Sequence, residues 1–128
     1  MKITTSQINE EELTNFGLKV VNLIKEQKYK ELEKHFGYAL ASNENPSEAI
    51  KNEITACLSQ AGSTAKLSTN PKSNIVVKFF EENSTNLIAA VECTLNIENG
   101  VGEILAELIV AGTDAETQLS LEQISYAA

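Results

Sequence analysis

The chain has no arginine: all ten of its basic residues are lysine. Arginine supplies the planar fork that usually grips carboxylate and phosphate groups, so recognition of that kind would fall to point-charge lysines. The lysines also stop early. Lys78 is the last, and residues 79–128 carry eight glutamates and Asp114 with no base, a net of −9; residues 1–78 carry ten lysines and nine glutamates, a net of +1. The acidic half cannot form a nucleic-acid surface, because phosphates require cations that displace their counterions. In the first half the lysines alternate with glutamates, as in KYKELEKHF, which is the pattern of a solvated helix face. No nucleic-acid partner is expected.

Long apolar runs are missing too. The longest span about five residues, against the ~20 a membrane helix needs. The opening MKITTSQINEEEL has no apolar core of the kind a secretory signal carries, so a cytoplasmic protein with no membrane partner is expected. Two cysteines and one histidine make a small reactive inventory. Cys57 and Cys93 both fall at apolar positions and read as reduced, buried, small residues. No spacing joins them to His35 as metal ligands. There is no glycine-rich phosphate loop, nucleophile elbow or metal motif, so neither a cofactor nor enzymatic activity is expected. A Glu92–Glu107 dyad would be the one candidate for acid–base work.

What remains is a 128-residue chain, 42% hydrophobic and 22% charged, long enough to bury a core as a single domain over 1–128. Its halves differ in period. Residues from about 6 to 62 are helical. Leu13, Phe16, Val20 and Ile24 form one stripe, entered at Ser6 or Asn9 with Glu10, Glu11 and Glu12 at the positive helix end. Gly17 interrupts that stripe at a cost of about 1 kcal/mol against alanine. Tyr29, Leu32 and Phe36 form a second stripe after a break near Gln27-Lys28. The third helix begins at NPSE, with Asn45 as N-cap, Pro46 in the first position and Glu48 completing a capping box. From about 64 to 127 the period becomes two. TAKLST is a short strand, IVVKFFEE and LIAAVECTLNI are strands, VGEILAELIVA follows, and TQLSLEQISY closes the sheet with a bulge near Glu122-Gln123. The fold class is therefore α+β: three N-terminal helices packed on a curved antiparallel sheet of about four to five strands.

Asn99-Gly100 is a strong two-residue hairpin signal, and it dictates the pairing of the strands on either side. Leu95 faces Ile104, Cys93 faces Ala106, Val91 faces Leu108 and Ala89 faces Val110, all on a core face. On the other face Asn96 meets Glu103, Thr94 meets Leu105, Glu92 meets Glu107 and Ala90 meets Ile109. The preceding strand adds Ile75, Val77 and Phe79 to the core face and Val76, Lys78 and Phe80 to the other. Two glutamates directly opposed cost about 0.2–1 kcal/mol, so stability gains nothing from Glu92 and Glu107. A surface prepared for a cationic protein would explain them, with exposed aliphatic neighbours as anchors. Glu92, Glu98, Glu103 and Glu107 with Leu105 and Ile109 are the candidate docking residues. The same face would also serve as a homodimer seam, although its glutamates would then repel their symmetry mates.

Two resemblances follow from these patterns. Three helices followed by an antiparallel sheet resemble, in element order, the nuclear-transport-factor-like and cystatin-like α+β domains. That resemblance implies an apolar pocket between helices and sheet, here with Tyr29, Phe36, Tyr38 and Phe79 as lining candidates. Members that isomerise steroids use an aspartate and a tyrosine in the pocket, whereas the only aspartate here is Asp114, in an expected turn. The short acidic chain and its mixed acidic and apolar hairpin also resemble the immunity proteins of bacterial contact-dependent toxin systems. That second resemblance implies a cytoplasmic, non-enzymatic inhibitor that docks on a basic toxin such as a nuclease.

Overall fold

The computed structural model describes residues 1–39, 45–70, 74–113 and 115–128. The expected loops ASNENP and NPKSN fall largely outside these residues, and the expected turn residue Asp114 falls wholly outside them. Helix α1 spans Glu10–Lys25, and its first turn holds Glu10, Glu11 and Glu12 beside the positive helix end. Asn9, not Ser6, caps it: Asn9 Oδ1 accepts a hydrogen bond from Glu12 N–H at 2.9 Å. The chain breaks at Gln27, which has a φ of 58°, and resumes as α2, Tyr29–Phe36. Helix α3, Pro46–Ala61, has proline in its first turn. Asn45 Oδ1 accepts from Ser47 N–H at 3.0 Å and from the Ser47 hydroxyl at 2.6 Å. Glu48 N–H donates to the same oxygen at 3.4 Å, the Asn45 half of the expected capping box, and the Ser47 hydroxyl adds a further donor.

Among the described residues six antiparallel strands make one sheet: β1 (Lys2–Ile3), β2 (Lys66–Leu67), β3 (Asn74–Phe79), β4 (Leu87–Glu98), β5 (Glu103–Thr113) and β6 (Glu116–Ala127). The order is β1-β6-β5-β4, with β2 and β3 both against the far side of β4. The α+β class stands, but two details of the expectation are corrected. The helices are not the N-terminal elements, because β1 precedes them and α3 lies in mid-chain, and the sheet has six strands rather than four or five. A two-residue strand is too short to display alternation. Strand β1 is held by its partner instead, pairing with Gln118 and Thr117 while the N-terminal ammonium donates to Leu119 O at 3.0 Å.

The helices cover one face of the sheet. Val91, Cys93 and Leu95 of β4, Ile104, Ala106, Leu108 and Val110 of β5, and Leu119 and Leu121 of β6 are fully buried there with Leu13, Val20, Ile24, Leu32 and Ile50 of the helices. Gly17 shows how closely α1 approaches. A Cβ built at that position would lie 2.8 Å from Ile75 Cγ2, 3.1 Å from Val91 Cγ1 and 3.2 Å from Cys93 Sγ. Helix α1 therefore lies over the seam between β3 and β4, at a separation only glycine permits, and tertiary packing offsets the helix cost of Gly17.

Gly17→Ala should accordingly destabilise the protein by about 1–2 kcal/mol, overpacking outweighing the gain in helix propensity. Urea unfolding with an unchanged m-value checks this, and a more stable variant would contradict the close approach.

Candidate functional site

Among the described residues no helix lies against the opposite face of the sheet. Its side chains are set by the β4–β5 ladder, which pairs Asn96 with Glu103, Thr94 with Leu105, Glu92 with Glu107 and Ala90 with Ile109. The core-face pairs expected from the alternation, Leu95–Ile104 through Ala89–Val110, are present as well. Phe80 N–H donates to Ile88 O, so Ile88 and every second residue of β4 after it direct their peptide groups toward β3. Toward β5 those residues form non-hydrogen-bonded pairs, the class in which facing Cα atoms come to about 4.5 Å and side chains are closest. Glu92 and Glu107 belong to that class. Strand β6 completes the face with Ser125 beside Leu105, Gln123 beside Glu107 and Ser120 beside Ile109, and its ladder shifts register at Glu107/Leu108, which leaves Glu122 as the bulged residue.

The hairpin tip is not the tight two-residue turn that Asn-Gly signals. Asn99 has a φ of 59° and Gly102 a φ of 83°, and the β4–β5 ladder ends at Asn96–Glu103. On the other edge of β4, Ile97 and Glu98 pair with Leu67 and Lys66 of β2. The physical reason is docking of the tip. Val101 N–H donates to Ala61 O at the end of α3 at 3.1 Å, and the Tyr126 hydroxyl donates to Val101 O at 2.6 Å. A Cβ at Gly100 would stand 2.8 Å from Ala65 Cβ. The register survives this altered turn because the apolar alternation of both strands specifies it independently.

Along β5, the central strand of the open face, Glu103, Leu105, Glu107 and Ile109 alternate as an acidic and aliphatic stripe. Glu103 is exposed and the other three are half-buried. Among the described residues three lysines reach the margins of this face, and each is ion-paired: Lys2 with Glu116 at 3.6 Å, Lys66 with Glu98 at 3.8 Å, and Lys78 with Glu92 at 2.5 Å. Glu98 also accepts from the Ser68 hydroxyl and Thr69 N–H, both at 3.3 Å. It is therefore fastened to the β2 edge and separated from the stripe. Glu103 and Glu107 have no ion-pair partner among the described residues. Lys78 is the member the expected docking set lacked, although the alternation of IVVKFF placed it on this face. Its ammonium is held above the usual lysine pKa, first by the hydrogen bond to Glu92, then by the charge of Glu92, with a smaller contribution from Glu107.

The four aromatics expected to line a pocket do not come together around one. Phe36 is 2% exposed and Tyr38 9%, both packed into the core, whereas Phe79 is 51% exposed on the edge strand. Tyr29 lines a surface recess of about 400 Å³ with Lys28, Ser47 and Lys51. The cysteines are buried, and burial pushes the Cys57 thiol up to about 11, with Glu53 adding to the effect, and the Cys93 thiol up to about 12. Neither supplies a thiolate at neutral pH. His35 is half-buried, with its ring edge-on to Phe36 at 6.3 Å. Among the described residues no group of three or more histidine, cysteine or acidic side chains is placed to hold a metal ion, and no helix is long and apolar enough to cross a membrane. Comparison with family models, with curated proteins and with solved structures finds no match.

The pairing of Lys78 with Glu92 has a measurable consequence. Because the folded-state pKa of Lys78 is raised, the contribution of the pair is present at neutral pH and is lost as pH climbs through that raised value. A double-mutant cycle of Lys78→Met and Glu92→Gln, read by urea unfolding, should give favourable coupling at pH 7 that weakens with added salt and disappears at strongly alkaline pH. Zero coupling at pH 7 and low salt would contradict the pairing.

Proposed function

We propose that this domain is a non-enzymatic binding protein that docks a basic protein on the open face of its sheet, in the manner of an immunity protein covering a cationic bacterial toxin. The observation that carries this reading is the central stripe of β5. Glu103 and Glu107 stand without cationic partners among the described residues, interleaved with half-buried Leu105 and Ile109, on a face with no helix over it. Opposed charge accelerates capture of a cationic partner. Aliphatic anchors between the carboxylates lose their water on contact and slow release. Glu92 contributes mainly by holding Lys78 aside, so Glu103 and Glu107 are the carboxylates available to a partner.

The confinement of the acidity favours a directional surface over general solubility. Residues 79–128 net −9 and contain β4, β5 and β6, whereas residues 1–78 net +1 and contain all three helices. A partner carrying lysines or arginines would meet the sheet side first.

The test is affinity capture from the source organism, with the products of adjacent genes as first candidates, followed by binding kinetics of the purified pair. Glu103→Lys combined with Glu107→Gln, which adds no second cation opposite Glu92, should slow association tenfold or more and flatten its salt dependence. The control Glu10→Lys with Glu11→Lys on α1 should leave the kinetics unchanged. An acidic partner, or unchanged binding by the sheet variant, would defeat the reading.

A further inference from the structure

The outer edge of β3 has no strand against it among the described residues, and the exposed apolar surface of the molecule collects there. Of the five large apolar side chains left exposed, Val76 (42%), Phe79 (51%) and Phe80 (44%) lie on or directly after β3, and Leu18 (37%) lies on α1, which packs on β3. Edge strands are ordinarily guarded by free charge, proline or a bulge. Strand β3 contains no proline, its β4 ladder is unbroken, and its single charge, Lys78, is neutralised by Glu92.

We propose that this edge joins the same edge of a second copy of the chain, making one continuous antiparallel sheet across a two-fold axis at Val77. The backbone selects the register. Since Phe80 N–H donates to Ile88 O, the even-numbered residues of β3 spend their peptide groups on β4, and Ile75, Val77 and Phe79 present theirs to the open edge. A two-fold axis at Val77 pairs Val77 with Val77 of the second copy and Ile75 with Phe79, which satisfies all of those groups in hydrogen-bonded pairs. It also places Phe79 opposite Ile75, Val76 opposite the aliphatic stem of Lys78 and Phe80 opposite Asn74, so each exposed apolar side chain of this edge gains a neighbour from the second copy.

Charge singles out this register and this occupant. Moving the axis to Lys78 would oppose the two ammonium groups directly, and moving it to Phe79 would oppose Val76 with Glu82 and Val77 with Glu81. With the axis at Val77 the row across the outer face reads Glu92, Val76, then Lys78 of the second copy, so each subunit brings a cation toward the other's carboxylate. The helices fit as well. Gly17 places α1 over the β3–β4 seam, so strand spacing alone sets the two α1 helices about 10 Å apart, the distance of packed helices. The β5 stripe lies outside the seam, so this inference stands independently of the docking reading.

Sedimentation over a range of concentrations tests it. The wild-type chain should shift from monomer to dimer as concentration rises. Val76→Lys gains an intrachain contact with Glu92 but opposes Lys78 of the second copy. It should melt like the wild type and raise the dimer dissociation constant about tenfold or more. Val76→Lys combined with Lys78→Glu restores opposite charges across the axis and should regain the dimer. A wild-type chain that stays monomeric, a dimer that Val76→Lys leaves intact, or a folded double variant that stays monomeric would each overturn the proposal.

Discussion

The pairing of β4 with β5 is the constraint on which the rest of the molecule depends. Val91 against Leu108, Cys93 against Ala106 and Leu95 against Ile104 put six fully buried side chains on one face of two adjacent strands. A slip of one residue would turn one of the two strands over, moving three of these side chains to water and one of the opposed glutamates under the helices. The cost would be several kcal/mol in lost apolar burial, against at most about 1 kcal/mol relieved by separating Glu92 from Glu107. The opposed carboxylates are thus a tolerated by-product of core formation, and Lys78 reduces their cost by pairing with Glu92. What core formation leaves undetermined is which residues fill the open face. There β5 carries, between aliphatic residues, glutamates with no ion-pair partner among the described residues.

The sheet ladder was legible in the sequence because two signals agreed, a period of two over long strands and an Asn-Gly bend between them. The bulge at Glu122 was legible for the same reason, since the alternation of β6 changes phase there. The conformation of the bend was not legible. Asn99 and Gly100 are held by Ala61, Ala65 and Tyr126, contacts distant in sequence that override local turn chemistry. Glu98 illustrates a similar limit. Alternation assigned it to the acidic face, but its carboxylate is taken by Lys66 of the two-residue strand β2 and by Ser68 and Thr69 just after it. Phe36, Tyr38, Tyr29 and Phe79 were grouped by size and aromaticity, which say nothing about direction, and the structure distributes them among the core, a recess and an edge.

Gly17 links the two layers. A stripe on α1 that would read as an imperfect helix face is the place where the helix settles onto Ile75, Val91 and Cys93. The same β3–β4 ladder sets Lys78 beside Glu92 on the other face. One sheet therefore has three differentiated boundaries: a helix-covered core face, an open acidic and aliphatic face, and an apolar edge on which Lys78 is paired with Glu92. Burial specifies the first of these, and the physical character of the other two fits association with other chains.

The most direct test of this account is the nuclear Overhauser contact between the Hα protons of Glu92 and Glu107. In a non-hydrogen-bonded antiparallel pair, with Cα atoms about 4.5 Å apart, these protons are close enough for a strong signal. The account predicts that cross-peak together with one between Thr94 and Leu105. Cross-peaks from Glu92 to Ala106 or to Leu108 in its place would mean that the strands are slipped by one residue, and the open face described here would not exist.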